Sequence, residues 1–272
     1  MKPLLLDLLA EESNLFKRRN MMREFLQARI LLALQDSGAF VNWAFVGGTA
    51  LRFLFRLPRY SEDLDFSLTE PGTDAFFEKH MTAVHHHLSN ETYDVDVKTR
   101  THTTVAAAQV RFRGLLFEGG ISPHRDEVFT VKVEIDTNPP GGAVAETKVV
   151  RRFVLLNLHH YDKASLLAGK LHAVMTRKYT KGRDLYDLAW YLADTSWPEP
   201  NLVQLGNALK QTGWEGDDVT GSNWRQLIAG RLDALNWNEA RRDVAPFLER
   251  EQDAEWITKP AMLDLLKRDH GW

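Results

Sequence analysis

The chain has 272 residues, of which 44% are hydrophobic and 26% are charged, a composition that excludes a disordered or fibrous protein. It contains no cysteine, which excludes disulfides, thiolate metal sites and a cysteine nucleophile. The net charge is −3, so a nucleic-acid partner would require a local basic patch. No stretch approaches the roughly 20 apolar residues of a membrane span, and acidic residues follow the first leucines too closely for a signal peptide. We therefore expect a cytoplasmic protein without a membrane partner.

The periodicity of apolar residues predicts a mixed N-terminal half. Helical spacing predicts helices over residues 8–38, 49–55 and 72–89. Short apolar or alternating runs predict strands at residues 43–46, 64–68, 93–98, 105–117 and 128–136, with a weaker candidate at 149–156.

The C-terminal half has a different pattern. From residue 163 onward the spacing is helical, with interruptions near residue 182 and residues 197–198. The cluster Asn-Pro-Pro-Gly-Gly at residues 138–142 predicts a loop. We therefore predict an α+β fold with an α/β domain over residues 1–160 and a helical domain over residues 161–272. The length agrees, since about 150 residues per domain gives roughly 1.8 domains.

A glycine-rich turn precedes a pair of aspartates. Residues 43–46 lead into Gly47, Gly48 and Thr49, which open the next predicted helix. Glycines allow the backbone to approach a phosphate, the helix N-terminus presents free N–H groups, and Thr49 adds a hydroxyl. Asp63 and Asp65 are two residues apart on a strand, so their side chains leave the same face. Two such carboxylates, together with substrate phosphates, are typical ligands of Mg²⁺.

A later strand supplies a third carboxylate. Residues 128–136 alternate, so that Lys132, Glu134 and Asp136 share the face opposite the apolar residues. If this strand neighbours that of Asp65, Glu134 is the third metal ligand and Asp136 is the alternative.

Positive charge is concentrated in the middle of the chain. Residues 148–183 contain nine Lys and Arg and one acid, whereas residues 194–272 contain 14 acids and nine Lys and Arg. Lys163, Lys170 and Arg177 are seven apart and would form one stripe on a helix, suited to phosphates. Asp184 and Asp187 are three apart on a helix face. For Asp184, a role as helix cap is an alternative of equal weight to a catalytic role. For Asp187, the alternative is an ion pair with a lysine.

These motifs together resemble a known family. Residues 47–51 (GGTAL) and 59–66 (RYSEDLDF) resemble nucleotidyltransferases of the DNA polymerase β type, and more closely the AbiEii toxins of AbiE-type toxin–antitoxin systems. Thr49 stands where serine is commoner in the superfamily, and it keeps the hydroxyl. Residues 169–173, Arg177 and the run 183–188 (RDLYDL) resemble the later motif of the family, a Lys on one helix and an Arg-Asp pair on the next. Arg59 is expected to be a solvated loop residue, with contact to substrate phosphate as the alternative.

The resemblance implies a polymerase β-like mixed sheet with flanking helices, and a helical lobe that completes the nucleotide site. It implies transfer of NMP from an NTP with release of pyrophosphate, assisted by two Mg²⁺ ions or alternatively Mn²⁺. The metal ligands would be Asp63, Asp65 and Glu134. The nucleotide would be bound by Gly47, Gly48, Thr49, Lys170 and Arg177. Lys170 would contact phosphate, and one of Asp184 and Asp187 would be required for activity.

The acceptor is less well defined by these residues. The resemblance implies either the 3′ end of tRNA or a protein hydroxyl, together with growth inhibition and a cognate antitoxin partner. The basic segment favours RNA modestly. Two other interpretations are a phosphotransferase acting on a small molecule, which would release a nucleoside diphosphate, and a nucleotide- or RNA-binding module without catalysis.

Overall fold

The computed structural model describes residues 1–72, 76–101, 103–177, 179 and 181–268. The chain divides into two compact units. The first comprises Met1–Arg56, Tyr60–Pro139 and Thr147–His160. The second comprises Leu57–Arg59, Pro140–Glu146 and Tyr161–Trp272. The first unit contains a mixed sheet with helices and the second is helical, which confirms the predicted α+β class.

The N-terminal region forms two helices and not the single one predicted over residues 8–38. Helix α1 covers Lys2–Ala10 and helix α2 covers Leu15–Asp36. The side chain of Asn14 accepts hydrogen bonds from the backbone N–H groups of Phe16 and Lys17 at 2.9 and 3.1 Å. Asparagine is a strong N-cap because it satisfies amides that the first turn leaves unpaired, so a new helix begins here.

A seven-stranded mixed sheet forms the centre of the first unit. The strands are β1 (Trp43–Val46), β2 (Leu64–Leu68), β3 (Val95–Arg100), β4 (Val105–Phe112), β5 (Phe129–Asp136), β6 (Ala145–Arg152) and β7 (Val154–Tyr161). Their spatial order is β3-β4-β5-β2-β1-β7-β6. Strand β2 is antiparallel to β1 and parallel to β5, which places β2 at the centre.

One face of the sheet is apolar and packs against helices. Along β5 the burial alternates residue by residue, with Val131, Val133 and Ile135 fully buried. Helix α2 packs against β5, and helix α4 (Phe77–Asn90) packs against β3 and β4. The polar residues of β5 therefore lie on the other face, as the alternation predicted.

Several other predicted elements have different bounds, among them β3, which covers Val95–Arg100 where residues 93–98 were predicted. Strand β4 ends at Phe112, because Gly114 (φ +68°) turns the chain into a short helix α5, Leu115–Glu118. The weak strand at 149–156 is two strands, β6 and β7, with Phe153 (φ +59°) between them. Helix α3 covers Gly47–Phe55 and begins two residues earlier than predicted. Of the helix predicted over 72–89, residues 73–75 lie outside the described residues.

The second unit is built from helices. They are α6 (Lys163–Thr176), α7 (Gly182–Ala193), α8 (Leu202–Gln211), α9 (Trp224–Leu232), α10 (Trp237–Val244) and α11 (Lys259–Lys267). Asp162 caps α6 by accepting a hydrogen bond from the backbone N–H of Ser165 at 2.7 Å. Helices α7 and α10 approach backbone to backbone, since a Cβ on Gly182 would lie 1.8 Å from the carbonyl oxygen of Ala240. Within the described ranges, no helix is long and apolar enough to cross a membrane.

Candidate active site

The turn between β1 and α3 lies against an aspartate of the neighbouring strand. Gly47 has φ +77°, and a Cβ on it would lie 2.5 Å from Oδ2 of Asp65. Only glycine fits there, because any side chain would both strain the backbone and displace the carboxylate. The N-cap residue of α3, Val46, makes no side-chain hydrogen bond to the first turn of the helix. The N–H groups at a helix N-terminus are suited to bind an anion.

The two central parallel strands place carboxylates side by side. Asp65 on β2 pairs in register with Glu134 on β5, so both side chains leave the same face of the sheet on adjacent strands. Nζ of Lys132, two residues earlier on β5, lies 2.7 Å from Oε1 of Glu134. Glu134 is therefore the β5 carboxylate directly beside Asp65.

The alternative ligand, Asp136, lies one register pair further along, opposite Ser67. Its Oδ1 accepts a hydrogen bond of 2.9 Å from the backbone N–H of Asn138. Burial raises the pKa of Asp136 above its usual range, against the opposing effect of that N–H group. The register and this local turn both favour Glu134 over Asp136 as the partner of Asp65.

Two buried side chains hold the segment that leads into β2. Nε2 of Gln27 donates to the carbonyl oxygens of Ser61 and Glu62 at 3.1 and 3.0 Å. The hydroxyl of Thr49 donates to the carbonyl oxygen of Asp63. Gln27 and Thr49 are 1% and 0% exposed. Three consecutive carbonyls are thus fixed from α2 and α3, and this sets the position of the Asp-x-Asp segment.

Gln27 was not found by sequence reasoning, and Thr49 has an unforeseen partner. The hydroxyl of Thr49 was expected to face phosphate, yet in the structure it is bonded within the protein. Gln27 lies far from Asp63 in the sequence and belongs to no motif. The sequence did offer one signal, because Gln27 is a single amide within an apolar run of α2. A polar side chain buried there requires a hydrogen-bond partner.

The donor chemistry of this face fits a divalent metal ion. Carboxylate oxygens are the ligands that Mg²⁺ prefers, and the glycine turn leaves room beside Asp65 that a side chain would fill. Among the described residues, no three His, Asp or Glu side chains are gathered closely enough to form a complete ligand set. The structure thus provides the adjacent pair Asp65 and Glu134, and the assignment of Asp63, Asp65 and Glu134 as joint ligands stays a prediction.

The second unit contains a separate buried cluster of charges. Nζ of Lys170 on α6 lies 2.7 Å from Oδ2 of Asp187 and 3.3 Å from Oδ1 of Asp184, both on α7. Nε and Nη2 of Arg59 each donate to one oxygen of Asp187 at 2.6 Å. Arg177 completes the cluster, with Nη1 2.7 Å from Oδ2 of Asp184. The side chain of Asp187 is 0% exposed, so it is a fully buried carboxylate between two cations.

The cations decide the ionisation of this cluster. Burial opposes ionisation of Asp187, but Arg59 and Lys170 outweigh it and lower the pKa of that carboxyl below its usual range. Burial likewise disfavours the charged form of Lys170, but Asp187 and Asp184 raise its pKa. Both groups are therefore charged at neutral pH.

Three expectations for this region were wrong. Asp184 does not cap its helix, because α7 begins at Gly182 with Lys181 at the cap position, and the Asp184 carboxylate instead binds Lys170 and Arg177. Arg59 is not a solvated loop residue, since it is 2% exposed. Arg177 follows the last residue of α6 in an extended conformation, so it does not continue a helical stripe. The pairing of Asp187 with a lysine is as expected.

The comparisons with known proteins identify the family. The model of the AbiEii nucleotidyl transferase toxin family, of type IV toxin–antitoxin systems, matches residues 29–264. The chain therefore belongs to the AbiEii family and is a nucleotidyltransferase toxin, as the motifs predicted. Membership in a toxin–antitoxin family implies a cognate antitoxin. No match is found among proteins of curated function.

Solved structures from Helicobacter pylori share the fold at low identity. JHP933 from Helicobacter pylori is 18% identical with a TM-score of 0.57, covering 91% of this chain and 90% of its own. Another structure from H. pylori, described as that of a candidate nucleotidyltransferase, is 18% identical with a TM-score of 0.53, covering 90% of this chain and 92% of its own. MenT4, a nucleotidyltransferase toxin from Mycobacterium tuberculosis H37Rv, is 17% identical with a TM-score of 0.48 over 97% and 99%.

Two glycine substitutions separate backbone strain from displacement of the carboxylate. Gly47→Ala and Gly38→Ala both place a side chain at positive φ, +77° and +82°, but nothing lies within 4 Å of a Cβ on Gly38. Each should lose about 1–2 kcal/mol of unfolding free energy from strain. Only Gly47→Ala should also abolish nucleotidyl transfer, because it pushes Asp65 aside. Urea denaturation measures the loss of unfolding free energy, and NTP turnover measures the loss of activity. Equal activity of the two variants would contradict this arrangement.

The role of Gln27 can be tested against a second glutamine of α2. Gln27→Met removes the donor to two carbonyls and should cost about 1–3 kcal/mol of unfolding free energy. It should also lower kcat, because the Asp-x-Asp segment loses its support. The control is Gln35→Met, which removes the acceptor of a 2.7 Å hydrogen bond from the backbone N–H of Asn157. That control should lose stability with kcat retained. A Gln27→Met enzyme of unchanged kcat would show that Gln27 only stabilises the fold.

The buried cluster predicts a pH dependence of stability. Because the pKa of Asp187 is lowered in the folded state, its stabilising contribution is present above the unfolded pKa of about 3.9 and is lost as the pH falls through the folded value. Asp187→Asn should therefore lose about 3–5 kcal/mol at pH 7 and should unfold in acid with a shallower pH dependence. Asp233→Asn, at the exposed pair with Lys259, should change little. Urea titrations from pH 7 to pH 3 provide the measurement, and equal losses in the two variants would contradict it.

Proposed function

We propose that the first unit carries the catalytic centre, and that this toxin transfers a nucleoside monophosphate from an NTP to the 3′ end of tRNA in a Mg²⁺-dependent reaction. The acceptor hydroxyl would attack the α-phosphorus, forming a new phosphodiester bond as the bond to pyrophosphate breaks. The observation that carries the proposal is the position of the Asp65 carboxylate, in contact with the glycine turn and in register with Glu134.

The residues of the chain have distinct tasks in this proposal. The N–H groups at the start of α3, from Gly47 and Gly48 onward, bind the triphosphate, because a helix N-terminus presents N–H donors to an anion and the N-cap residue Val46 makes no side-chain bond to them. Asp65 and Glu134 present carboxylate oxygens on one face, and Asp63 enters from the segment fixed by Thr49. Glu134 also lies where it can orient the acceptor hydroxyl and take up its proton.

A divalent ion would be held by Asp63, Asp65 and Glu134. When bound, Mg²⁺ neutralises phosphate charge and stabilises the entering and leaving oxygens of the transfer. Metal affinity in such a site requires carboxylates in their ionised form. The phosphate contact predicted for Lys170 remains a prediction, since the ammonium of Lys170 is engaged by two aspartates.

The acceptor is tested by a labelling experiment. Purified protein is incubated with each α-³²P NTP, Mg²⁺ and a mixture of total cellular RNA and protein. We expect label in tRNA, dependent on Mg²⁺ after treatment with EDTA. Asp65→Asn and Glu134→Gln should each lower the rate by about 100- to 1,000-fold, as removal of a group that stabilises transition-state charge does. Asp136→Asn, one register pair away, should retain most activity.

The alternative functions give different products. Label in a protein band would replace tRNA by a protein hydroxyl as the acceptor. Release of a nucleoside diphosphate without label transfer would instead indicate a phosphotransferase. A loss in Asp136→Asn equal to that in Glu134→Gln would overturn the assignment of Glu134.

A further inference from the structure

The sheet face that carries the carboxylates extends across two more strands to the edge. Glu134 on β5 pairs with Ala107 on β4, which pairs with Arg100 on the edge strand β3. Directly paired residues share a face, so Asp65, Glu134, Ala107 and Arg100 form one row across four strands. Ala107 contributes only a methyl group between Glu134 and Arg100 in this row, and it is 7% exposed.

A second row runs beside the first and carries more positive charge. Lys132 on β5 pairs with Gln109 on β4, which pairs with Lys98 on β3. The side chains of Lys98, Arg100 and Gln109 are exposed. We call Lys98, Arg100, Gln109 and Lys132 the cationic track. It begins beside the carboxylates and ends at the edge of the sheet.

The charge of the track favours a polyanion. Lys98 and Arg100 have no acidic partner among the described residues, and Lys132 contacts only Glu134 of the carboxylate site. The nearest acid on β3, Asp96, is occupied by Arg111 and Arg113, each at 3.1 Å. The neighbouring acid is thus already neutralised by two further arginines, and the track keeps its positive charge.

The basic segment 148–183, which first suggested RNA, is largely used inside the protein. Lys148 donates to the carbonyl of Leu54 and lies over the ring of Phe55, and Arg152 binds Glu24. Lys170 and Arg177 bind the aspartates of the second unit. Lys178 lies outside the described residues. Cations already paired in this way release few counterions when RNA binds, so they contribute little to its affinity.

We infer that the cationic track binds the phosphate backbone of the RNA acceptor and directs its 3′ end to Asp65 and Glu134. This inference rests on the proposed function and adds the surface that the acceptor occupies. Arg100 lies three strands from Asp65, about 14 Å at the usual strand spacing. That distance suits contact with a few nucleotides upstream of the reacting hydroxyl. Contacts of this kind carry affinity and position, and they do not depend on base sequence.

The test compares two double variants with equal change in charge. Lys98→Ala with Arg100→Ala removes two cations of the track. Lys79→Ala with Arg151→Ala removes two exposed cations, one on α4 and one on the edge strand β6. The probe is a fluorescein-labelled tRNA pool, whose Kd is measured at several salt concentrations. The transfer assay then gives KM for tRNA and for the NTP separately.

We expect the track variant to reduce the slope of log Kd against log salt by about 1.4, two phosphate contacts at about 0.7 each. This corresponds to about 25-fold weaker tRNA binding at 0.1 M salt relative to the wild type, with convergence near 1 M. Its KM for tRNA should rise, with the KM for NTP and kcat unchanged. The control should match the wild type in slope and in KM.

The two assays distinguish the role of the cationic track from the identity of the acceptor. Unchanged tRNA affinity and KM in the track variant, with wild-type labelling of tRNA, would overturn the track and leave tRNA as the acceptor. An equal loss in the control variant would also overturn it, because the effect would then follow total charge. Label found only in protein, with wild-type protein failing to bind tRNA, would overturn both.

Discussion

The contact between the backbone of Gly47 and the carboxylate of Asp65 is the constraint on which the candidate active site depends. It requires a residue without a side chain at the end of β1, at a positive φ that glycine tolerates best. It also requires β1 and β2 to be neighbours, because only then does the turn reach the aspartate. The amides at the start of α3 and the carboxylate of Asp65 are thereby brought together by one chain reversal.

Part of the support of this site comes from Gln27, which lies outside its motifs. Gln27 and Thr49 bind three successive carbonyls ahead of β2, so that a segment without regular structure has a fixed position. A buried carbonyl without a donor is costly, and these hydrogen bonds therefore matter for stability as well as for geometry. Gln27 and Thr49 therefore act on the Asp-x-Asp segment through its backbone.

The buried cluster of the second unit shows how motif residues can serve the fold. Asp187 is fully buried between Arg59 and Lys170, and removal of one partner from such a group leaves an uncompensated charge. A loss of activity on substitution of Asp187 would therefore report both stability and chemistry. Lys98 and Arg100 on β3 have the opposite character, since both are exposed, and exposed charges contribute little to the free energy of folding.

The sequence by itself determined the family, the α+β class, the glycine turn and the shared face of Lys132, Glu134 and Asp136. These follow from short-range patterns, because glycine conformations and the alternation of a strand are local properties. The break at Asn14 between α1 and α2 was also local, but helical periodicity on both sides concealed it. The turns at Gly114 and Phe153 were concealed in the same way by the apolar runs around them.

Only the tertiary structure decided which residues meet. The parallel register of β2 and β5 placed Glu134, and not Asp136, beside Asp65. The same structure brought Arg59 to Asp187 across 128 positions of sequence. Local patterns show which face a side chain occupies, but they do not show which strand lies next to it. That choice is made by packing and by the pairing of buried charges, which join segments far apart in the chain.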